Sequence, residues 1–413
     1  MTEDASNVVA SRRVASAVAL SLMVAVFMAT RLTGGWFADH PERWVMGELA
    51  VGDVGLYQSW ADDLVDRHEA AYIDVVIPYP PGLLPFIVAP KYAERIAPYR
   101  SVFIKLMEIV DLAGFAGLAL IARRKGSWFG PWAWTILIPL LGPIVWTRLD
   151  LVPAVATIFA IERAQAGGWT AAGGWMGFGA IAKVYPAFLL PSVVISSLRR
   201  RGTVVAAAVA MLAPLVALTG SMSDVYGSIA QFHWHRGIQI ESVWGSALLL
   251  AHHAGYAVSI LNVAGATEVG AGIVGPLKHT SLLLGVGIIA FGVVVVWRRV
   301  PRGDVVGLSL ALLGTLALLT GVGTIYSPQY LIWLFALASV VGVLRGRRAI
   351  LPVAVLAAMA ILSQVVFPFL YGDLLSLRLL PAVLLAIRNL LTLALGVVAF
   401  RMVWKVRGEH APA

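Results

Sequence analysis

Long apolar segments alternate with short connections rich in arginine and lysine along almost the whole chain. About 20 apolar residues are needed for a helix to cross a bilayer. With 413 residues and a mean hydropathy of +0.84, the chain has room for roughly a dozen crossings. We therefore predict an all-α polytopic membrane protein, a single integral membrane domain over residues 1–413, with the lipid bilayer as its surroundings.

The basic residues fall into six short clusters, and their positions predict the topology. The clusters are Arg12-Arg13, Arg123-Arg124-Lys125, Arg199-Arg200-Arg201, Arg298-Arg299 with Arg302, Arg345 with Arg347-Arg348, and Arg401 with Lys405 and Arg407. Because basic connections are retained in the cytoplasm, we expect all six there. The net charge of +9 does not indicate nucleic-acid binding, since apolar segments separate the clusters instead of gathering them on one face.

Twelve apolar segments fit this topology and leave both termini inside. They lie at about 14–32, 101–122, 129–146, 151–164, 169–182, 185–198, 203–220, 279–297, 305–322, 330–344, 350–369 and 380–403. The first is expected to be a retained anchor, because no convincing signal-peptide cleavage site follows it. The longer connections at 33–100 and 221–277 are then the first and second outer loops. An amphipathic helix is predicted at 51–66 in the first outer loop, and an amphipathic piece lies near 243–253 in the second.

The first outer loop is acidic, and Asp53 is its candidate for chemistry. The loop carries ten acids against five bases. On a helix over 51–66, Asp53, Tyr57 and Trp60 share one face. A carboxylate beside aromatic rings at the lipid interface is partly desolvated, which makes it a stronger base. Asp is also a favoured helix N-cap, so the spacing leaves both roles open.

Other charged residues lie at or within the apolar segments, where charge is costly and faces an interior or a substrate path. They are Arg148 and Asp150 in one hairpin tip, Lys183 in the next, Glu108 and Asp111 on the second segment, and Arg388 in the last. The cations suit a phosphate. Alternatively, Glu108 or Asp111 pairs internally with Arg148 or Lys183. The acids Asp62, Asp63 and Asp66 are expected on a solvated face.

Further polar residues mark the second outer loop and a later connection. His233 and His235 lie near Glu241, but this spacing is weak evidence for a metal, and hydrogen bonding near a sugar or simple solvation fits as well. Ser327 and Pro328 suit a helix start, while Gln329 is a candidate for lining a cavity. Tyr79-Pro80-Pro81-Gly82 is a rigid turn. The absence of cysteine excludes disulfides and thiol chemistry.

Six short motifs in this order resemble the bacterial glycosyltransferase family 87 of the GT-C superfamily. They are Asp53-Val54-Gly55-Leu56-Tyr57 with Trp60, Tyr79-Pro80-Pro81-Gly82, Arg148 with Asp150, Lys183 with Pro186, Gln239 to Trp244, and Tyr326 to Tyr330 with Trp333. The resemblance covers residues 45 to 335. No single motif is specific to the family, and the resemblance depends on all six occurring in the family's order. Many members carry a glutamate just before Tyr-Pro-Pro, where this chain has Val76-Ile77-Pro78.

The resemblance implies a GT-C fold with an outer-face cavity, and an inverting transfer from a polyprenyl-phosphate sugar to a lipid or glycan acceptor of the cell envelope. Mannose is favoured as the sugar and arabinofuranose is the alternative. Asp53 matches the family's general base, and a monophosphate leaving group needs only cations, so no metal and no cofactor are expected. The expected substrate-binding residues are Tyr57, Trp60, Tyr79, Arg148, Asp150, Lys183, His233, His235, Glu241, Gln329 and Arg388.

Two other classes remain open. A transporter or flippase for a lipid-linked sugar explains the apolar segments and the intramembrane charges, but not the acid-rich first outer loop. A non-catalytic scaffold gives little reason to place Lys183 and Arg388 in apolar segments. A cavity that ends at Asp53 is expected of the enzyme, whereas a path to the cytoplasmic side is expected of a transporter.

Overall fold

The computed structural model describes residues 2–45, 47–219, 222–263 and 266–409, and most of them are helical. The α-helices are α1 Thr2–Asp39, α2 Gly47–Val65, α3 Leu84–Tyr92, α4 Tyr99–Lys125, α5 Phe129–Leu137, α6 Leu151–Gln165, α7 Trp169–Ala182, α8 Tyr185–Ser196, α9 Arg200–Thr219, α10 Met222–His235, α11 Val243–His253, α12 Val274–Arg299, α13 Val305–Val322, α14 Leu331–Arg345, α15 Ile350–Gln364, α16 Tyr371–Leu375 and α17 Leu379–Glu409. The strands are β1 Ile238–Gln239, β2 Ser259–Val263 and β3 Ala266–Gly270.

Five helical segments in the described ranges are long and apolar enough to cross a membrane, as expected for a helical membrane protein. They are Ala17–Asp39, Val274–Arg299, Val305–Val322, Pro328–Phe369 and Leu379–Val406. Helix also occurs at every other predicted segment. The third differs from expectation because it divides: α5 ends at Leu137 and a 3-10 turn, Pro139–Val145, follows. Its prolines remove backbone donors, and Gly142 adopts a left-handed φ of 63°.

Three of the basic connections meet at one end of the helix bundle. Arg124 Nη1 lies 2.6 Å from Glu162 Oε1 at the end of α6. The Thr203 hydroxyl donates to the Trp169 carbonyl at 3.1 Å, and the Gly303 amide donates to the Ser196 carbonyl at 2.9 Å. These contacts join the loops after α4, α6, α8 and α12, so three of the six clusters that the sequence assigns to one side lie together.

The opposite end of the bundle carries the two predicted outer loops. In the second, β1, β3 and β2 form an antiparallel sheet in that order, which the sequence did not predict because its strands have only two to five residues. The predicted amphipathic piece at 243–253 is the helix α11, capped by Ser242, whose hydroxyl accepts from the Gly245 amide at 2.9 Å. The Trp244 indole donates to the Val322 carbonyl at 2.7 Å, which joins this loop to the end of α13.

In the first outer loop, ion pairs hold α2 against α3. Lys91 Nζ lies 2.6 Å from Asp62, 2.8 Å from Asp66 and 2.8 Å from Glu94. Asp63 pairs with Arg67 at 2.7 Å. The acids expected on a solvated face are therefore also ion-paired, and the pairs with Lys91 orient the helix that carries Asp53.

A buried ion pair joins α1 to α4 and corrects the expected partners of Asp111. Arg31 Nε lies 2.8 Å from Asp111 Oδ2, with the two side chains 4% and 0% exposed. Arg31 also donates to the Thr135 carbonyl, and the Trp134 indole donates to Asp111. Glu108 pairs with Lys105 on its own helix. The expected pairing of Asp111 or Glu108 with Arg148 or Lys183 is wrong, because nearer cations face both acids.

Candidate active site

Asp53 lies in the second turn of α2, at the end of the bundle away from the basic loops. Since α2 begins at Gly47, Asp53 is inside the helix and is not its N-cap. Its side chain is 36% exposed. The same face of α2 carries Tyr57 and Trp60, as the spacing predicted, with Tyr57 only 1% exposed. Asp53 is therefore the solvent-accessible end of an otherwise buried face.

Arg148 lies directly beside Asp53. Its Nη1 lies 2.9 Å from Asp53 Oδ2, but the N–H does not point at that oxygen. Among the described residues, neither Nη1 nor Nε of Arg148 has a hydrogen-bond partner, although both atoms are buried. Buried donors without partners are costly. A guanidinium held in this way has capacity for a further oxygen ligand.

Aromatic rings enclose the space next to this pair. The ring of Tyr57 lies 5.8 Å from that of Trp60 and 6.1 Å from that of Tyr79. Burial raises the pKa of both tyrosines, and the nearby charge of Asp53 raises that of Tyr79 further. Both phenols therefore remain protonated over the physiological range and can donate hydrogen bonds.

The Tyr79-Pro80-Pro81-Gly82 turn lies close to the end of α7 because Gly82 has no side chain. A Cβ at Gly82 would lie 2.7 Å from the Ile181 carbonyl oxygen near the end of α7, so only glycine permits this approach. The turn therefore packs against the break between α7 and α8. Lys183 stands at that break, as the sequence predicted, in an extended conformation.

Lys183 makes one ion pair and three cation–π contacts. Its Nζ lies 2.6 Å from Asp150 Oδ1, with side chains 15% and 4% exposed. The ammonium also lies 5.6, 5.1 and 5.0 Å from the ring centres of Tyr79, Tyr330 and Trp333. The internal partner of Lys183 is thus Asp150. Lys183 and Arg148 each face one carboxylate, but Lys183 donates a hydrogen bond to its partner, whereas two buried nitrogens of Arg148 have no hydrogen bond among the described residues. Arg148 is therefore better suited than Lys183 to a new anion.

Arg388 reaches the site from α17 and is 1% exposed. Its guanidinium carbon lies 3.9 Å from the ring centre of Tyr326, and Nη2 donates to the Glu241 carbonyl at 3.0 Å. Its Nε and Nη1 are buried without partners in the described part of the chain, like those of Arg148. Arg388 and Arg148 both lower the pKa of Glu241 against the larger effect of burial, so both guanidiniums lie within electrostatic reach of that carboxyl group.

Two residues without an assigned role complete this region. Gln239 donates to the Ser327 hydroxyl at 2.7 Å and accepts from the Tyr326 amide at 2.8 Å. Asn389 donates to the Glu241 and Ser242 carbonyls. The only sequence signal for Asn389 was a second polar residue beside Arg388 in an apolar segment. Gln329, the glutamine that was predicted to line a cavity, lies half-buried in the turn Pro328–Tyr330.

The predicted histidines lie in α10, but the side chains of His233 and His235 are outside the described part of the structure. Among the described residues, no group of three or more histidines and acids could hold a metal ion. A cavity of about 480 Å³ lies away from Asp53, between the end of α2 and α3. It is lined by Leu64, Glu69, Ala70, Ala71, Ile73, Leu84, Pro85 and Val88. Asp53 does not line this cavity, so a cavity that ends at Asp53 stays a prediction.

The sequence matches no protein-family model and no curated protein. The function of this chain must therefore be inferred from its own residues and from the geometry of the site.

Proposed function

We propose that this chain is an inverting glycosyltransferase of the family 87 type with a GT-C fold, acting on the outer face of the cell membrane. Its donor is a sugar, mannose in the favoured case and arabinofuranose as the alternative, on polyprenyl phosphate. Its acceptor is a lipid or glycan of the cell envelope. The proposal depends on the six motifs between residues 45 and 335 and on their positions in the fold.

One observation carries the proposal. Residues from all six motifs, together with Arg388 of α17, gather in one polar region. It contains an accessible carboxylate and two buried guanidiniums, each with nitrogens that have no hydrogen-bond partner among the described residues. A scaffold gains nothing from unpartnered buried donors, which are destabilising. A phosphate would satisfy them, because guanidinium groups bind phosphate oxygens through paired, charge-assisted hydrogen bonds.

In the proposed reaction Asp53 acts as the general base. It accepts the proton of the acceptor hydroxyl while that oxygen attacks the anomeric carbon from the side opposite the phosphate, and the bond from that carbon to the phosphate oxygen breaks. The leaving polyprenyl phosphate departs as an anion and needs no proton. Arg148 and Arg388 stabilise the charge that grows on it. Lys183, with Asp150 beside it, holds Tyr79 and Tyr330 along the same wall.

The proposed topology has twelve crossings, with the basic end in the cytoplasm and the Asp53 end outside. Single cysteines at Ala70 and Lys125 test it in this cysteine-free chain, because both positions are exposed. In intact cells a membrane-impermeant maleimide should label Ala70→Cys and not Lys125→Cys. After permeabilisation both should label. Labelling of Lys125→Cys alone in intact cells would reverse the topology and place the site in the cytoplasm.

The activity is tested with membranes that contain the protein and polyprenyl phosphates carrying labelled mannose or arabinofuranose. We expect a new glycosidic product from one donor, identified by mass spectrometry. Arg388→Met should reduce product at least about a hundredfold, the usual loss when one stabilising donor is removed. The control is Arg401→Met, an exposed cation on the same helix, which should leave the rate unchanged.

The same assay separates the enzyme from a transporter. A transporter or flippase would move the labelled lipid between leaflets without forming a new linkage. Absence of product with both donors, combined with movement of the intact donor, would contradict the proposed function.

A further inference from the structure

Glu241 is a buried acid whose main chain contacts Arg388 and Asn389. It follows β1 and precedes α11, and it is only 4% exposed. Its main-chain carbonyl is fixed by Arg388 Nη2 at 3.0 Å and Asn389 Nδ2 at 3.2 Å. Its carboxyl group, by contrast, has no hydrogen bond or ion pair within the described ranges. The backbone around Glu241 is therefore rigidly placed, while its side chain has an unused hydrogen-bonding group.

The ionisable groups near this carboxyl come from three parts of the fold. Arg388 on α17 and Arg148 before α6 act on it, and Tyr371 on α16 lies within electrostatic reach. Burial is the largest effect and raises the pKa of Glu241 to about 7, although both arginines oppose that shift. Burial of Tyr371, followed by the charge of Glu241, raises the pKa of that phenol to about 12, so it remains neutral.

An ionised Glu241 would compete with an incoming anion. It would offset one of the two positive charges that Arg148 and Arg388 present, and it would repel the anion at short range. A neutral Glu241 does neither, and its O–H becomes a donor that complements the unpartnered N–H groups of the arginines. The arrangement therefore accepts an anion best when Glu241 carries a proton.

We propose that Glu241 binds the phosphodiester of the donor as the neutral acid, donating its O–H to a phosphate oxygen that Arg148 and Arg388 also hold. This inference rests on the proposed function, since it assigns Glu241 a role at the same phosphate. Above neutral pH, binding takes up one proton from solvent, and this proton stays on Glu241. Asp53 remains free to take the proton of the acceptor.

The proposal predicts a specific pH dependence of donor affinity. If only the protonated form binds, the apparent dissociation constant increases in inverse proportion to the protonated fraction. For a group with a pKa of about 7, affinity should fall about tenfold between pH 6 and pH 8. The sign follows from the raised pKa: the proton is fully present below neutrality and is lost as pH rises.

The probe is methyl farnesyl phosphate, a phosphodiester whose single negative charge does not change over this pH range. Its binding to the detergent-purified protein is measured by calorimetry at pH 6, 7 and 8. The wild type should lose about tenfold in affinity across the series. Glu241→Gln keeps a neutral donor, so it should bind within about threefold of the wild type at pH 6 and stay constant up to pH 8.

A matched control is Glu268→Gln, since Glu268 is equally buried, on β3, but is paired with Arg236 at 2.7 Å. This variant should keep the wild-type pH dependence, and thermal unfolding checks that each variant is folded. Glu241→Ala removes the donor and should bind at least about tenfold more weakly than Glu241→Gln at pH 6.

The outcomes separate this inference from the function on which it rests. Equal pH dependence in the wild type and Glu241→Gln, with saturable binding in both, would overturn the role of Glu241 and leave the proposed function standing. No saturable binding by the folded wild type at any pH would overturn the phosphate site itself, and this inference with it.

Discussion

Asp53→Asn is expected to reduce sugar transfer by at least about a hundredfold, because a positioned general base contributes about that much or more. The amide keeps the size of the carboxylate but cannot accept a proton at neutral pH. Expression should stay near that of the wild type, since Asp53 is 36% exposed and does not cap its helix. The measurement is the initial rate of product formation at saturating donor.

The substitution also removes the ion pair with Arg148, so loss of binding must be separated from loss of chemistry. Affinity for methyl farnesyl phosphate should stay within a few fold of the wild type, because Arg148 and Arg388 remain. Asp63→Asn is the control on the same helix, where the acid pairs with the exposed Arg67. More than about a tenth of the activity remaining in Asp53→Asn would rule out a base role.

The sequence predicted the helices well because their signals are local. Apolar length and basic connections located a helix at each of the twelve segments, and the break at Lys183 followed from the shortness of the two arms around it. Periodicity predicted the amphipathic helix at 51–66, where the structure has Gly47–Val65, and indicated an amphipathic piece near 243–253, which is the helix Val243–His253. The strands of the second outer loop were missed because two to five residues are too few for a recognisable alternation.

Which charges pair was not predictable, because pairing depends on which helices are neighbours. Asp111 pairs with Arg31, which lies 80 positions earlier in the chain, and no periodic sequence pattern relates the two residues. Asp150 and Lys183 were singled out separately, and only the packing of one hairpin tip on the next brings them together at 2.6 Å. Intramembrane charge identifies the residues that need partners, but not the partners.

The residues of the site could be identified from the motifs and from charge in apolar segments. How their side chains pair could not. Asp53, Arg148, Lys183 and Arg388 were all singled out. Only side-chain geometry reveals that Lys183 donates a hydrogen bond to Asp150, while Arg148 and Arg388 keep buried nitrogens without a hydrogen bond in the described part of the chain. The fixed position of the Tyr79 turn likewise depends on the close approach of Gly82 to Ile181.

The largest effect on stability is expected at the buried pair between α1 and α4. Asp111→Ala should lower the free energy of unfolding by about 3–5 kcal/mol, the usual cost of leaving one member of a buried ion pair without its partner. Arg31 would keep its contacts with two main-chain carbonyls but would hold an uncompensated charge at 3% exposure. The measurement is equilibrium unfolding by dodecyl sulfate in mixed micelles.

Glu108→Ala provides the comparison, since Glu108 lies three residues earlier on the same helix and pairs with Lys105, which is 59% exposed. An ion pair of this kind contributes at most about 1 kcal/mol. The double substitution Arg31→Leu with Asp111→Leu should recover most of the stability, because two apolar side chains of suitable size replace a buried pair at little cost. Equal losses for Asp111→Ala and Glu108→Ala would contradict the pairing. A double variant no more stable than Asp111→Ala would show that the pair's main role is to fix the geometry of α1 and α4 through its contacts with Thr135 and Trp134.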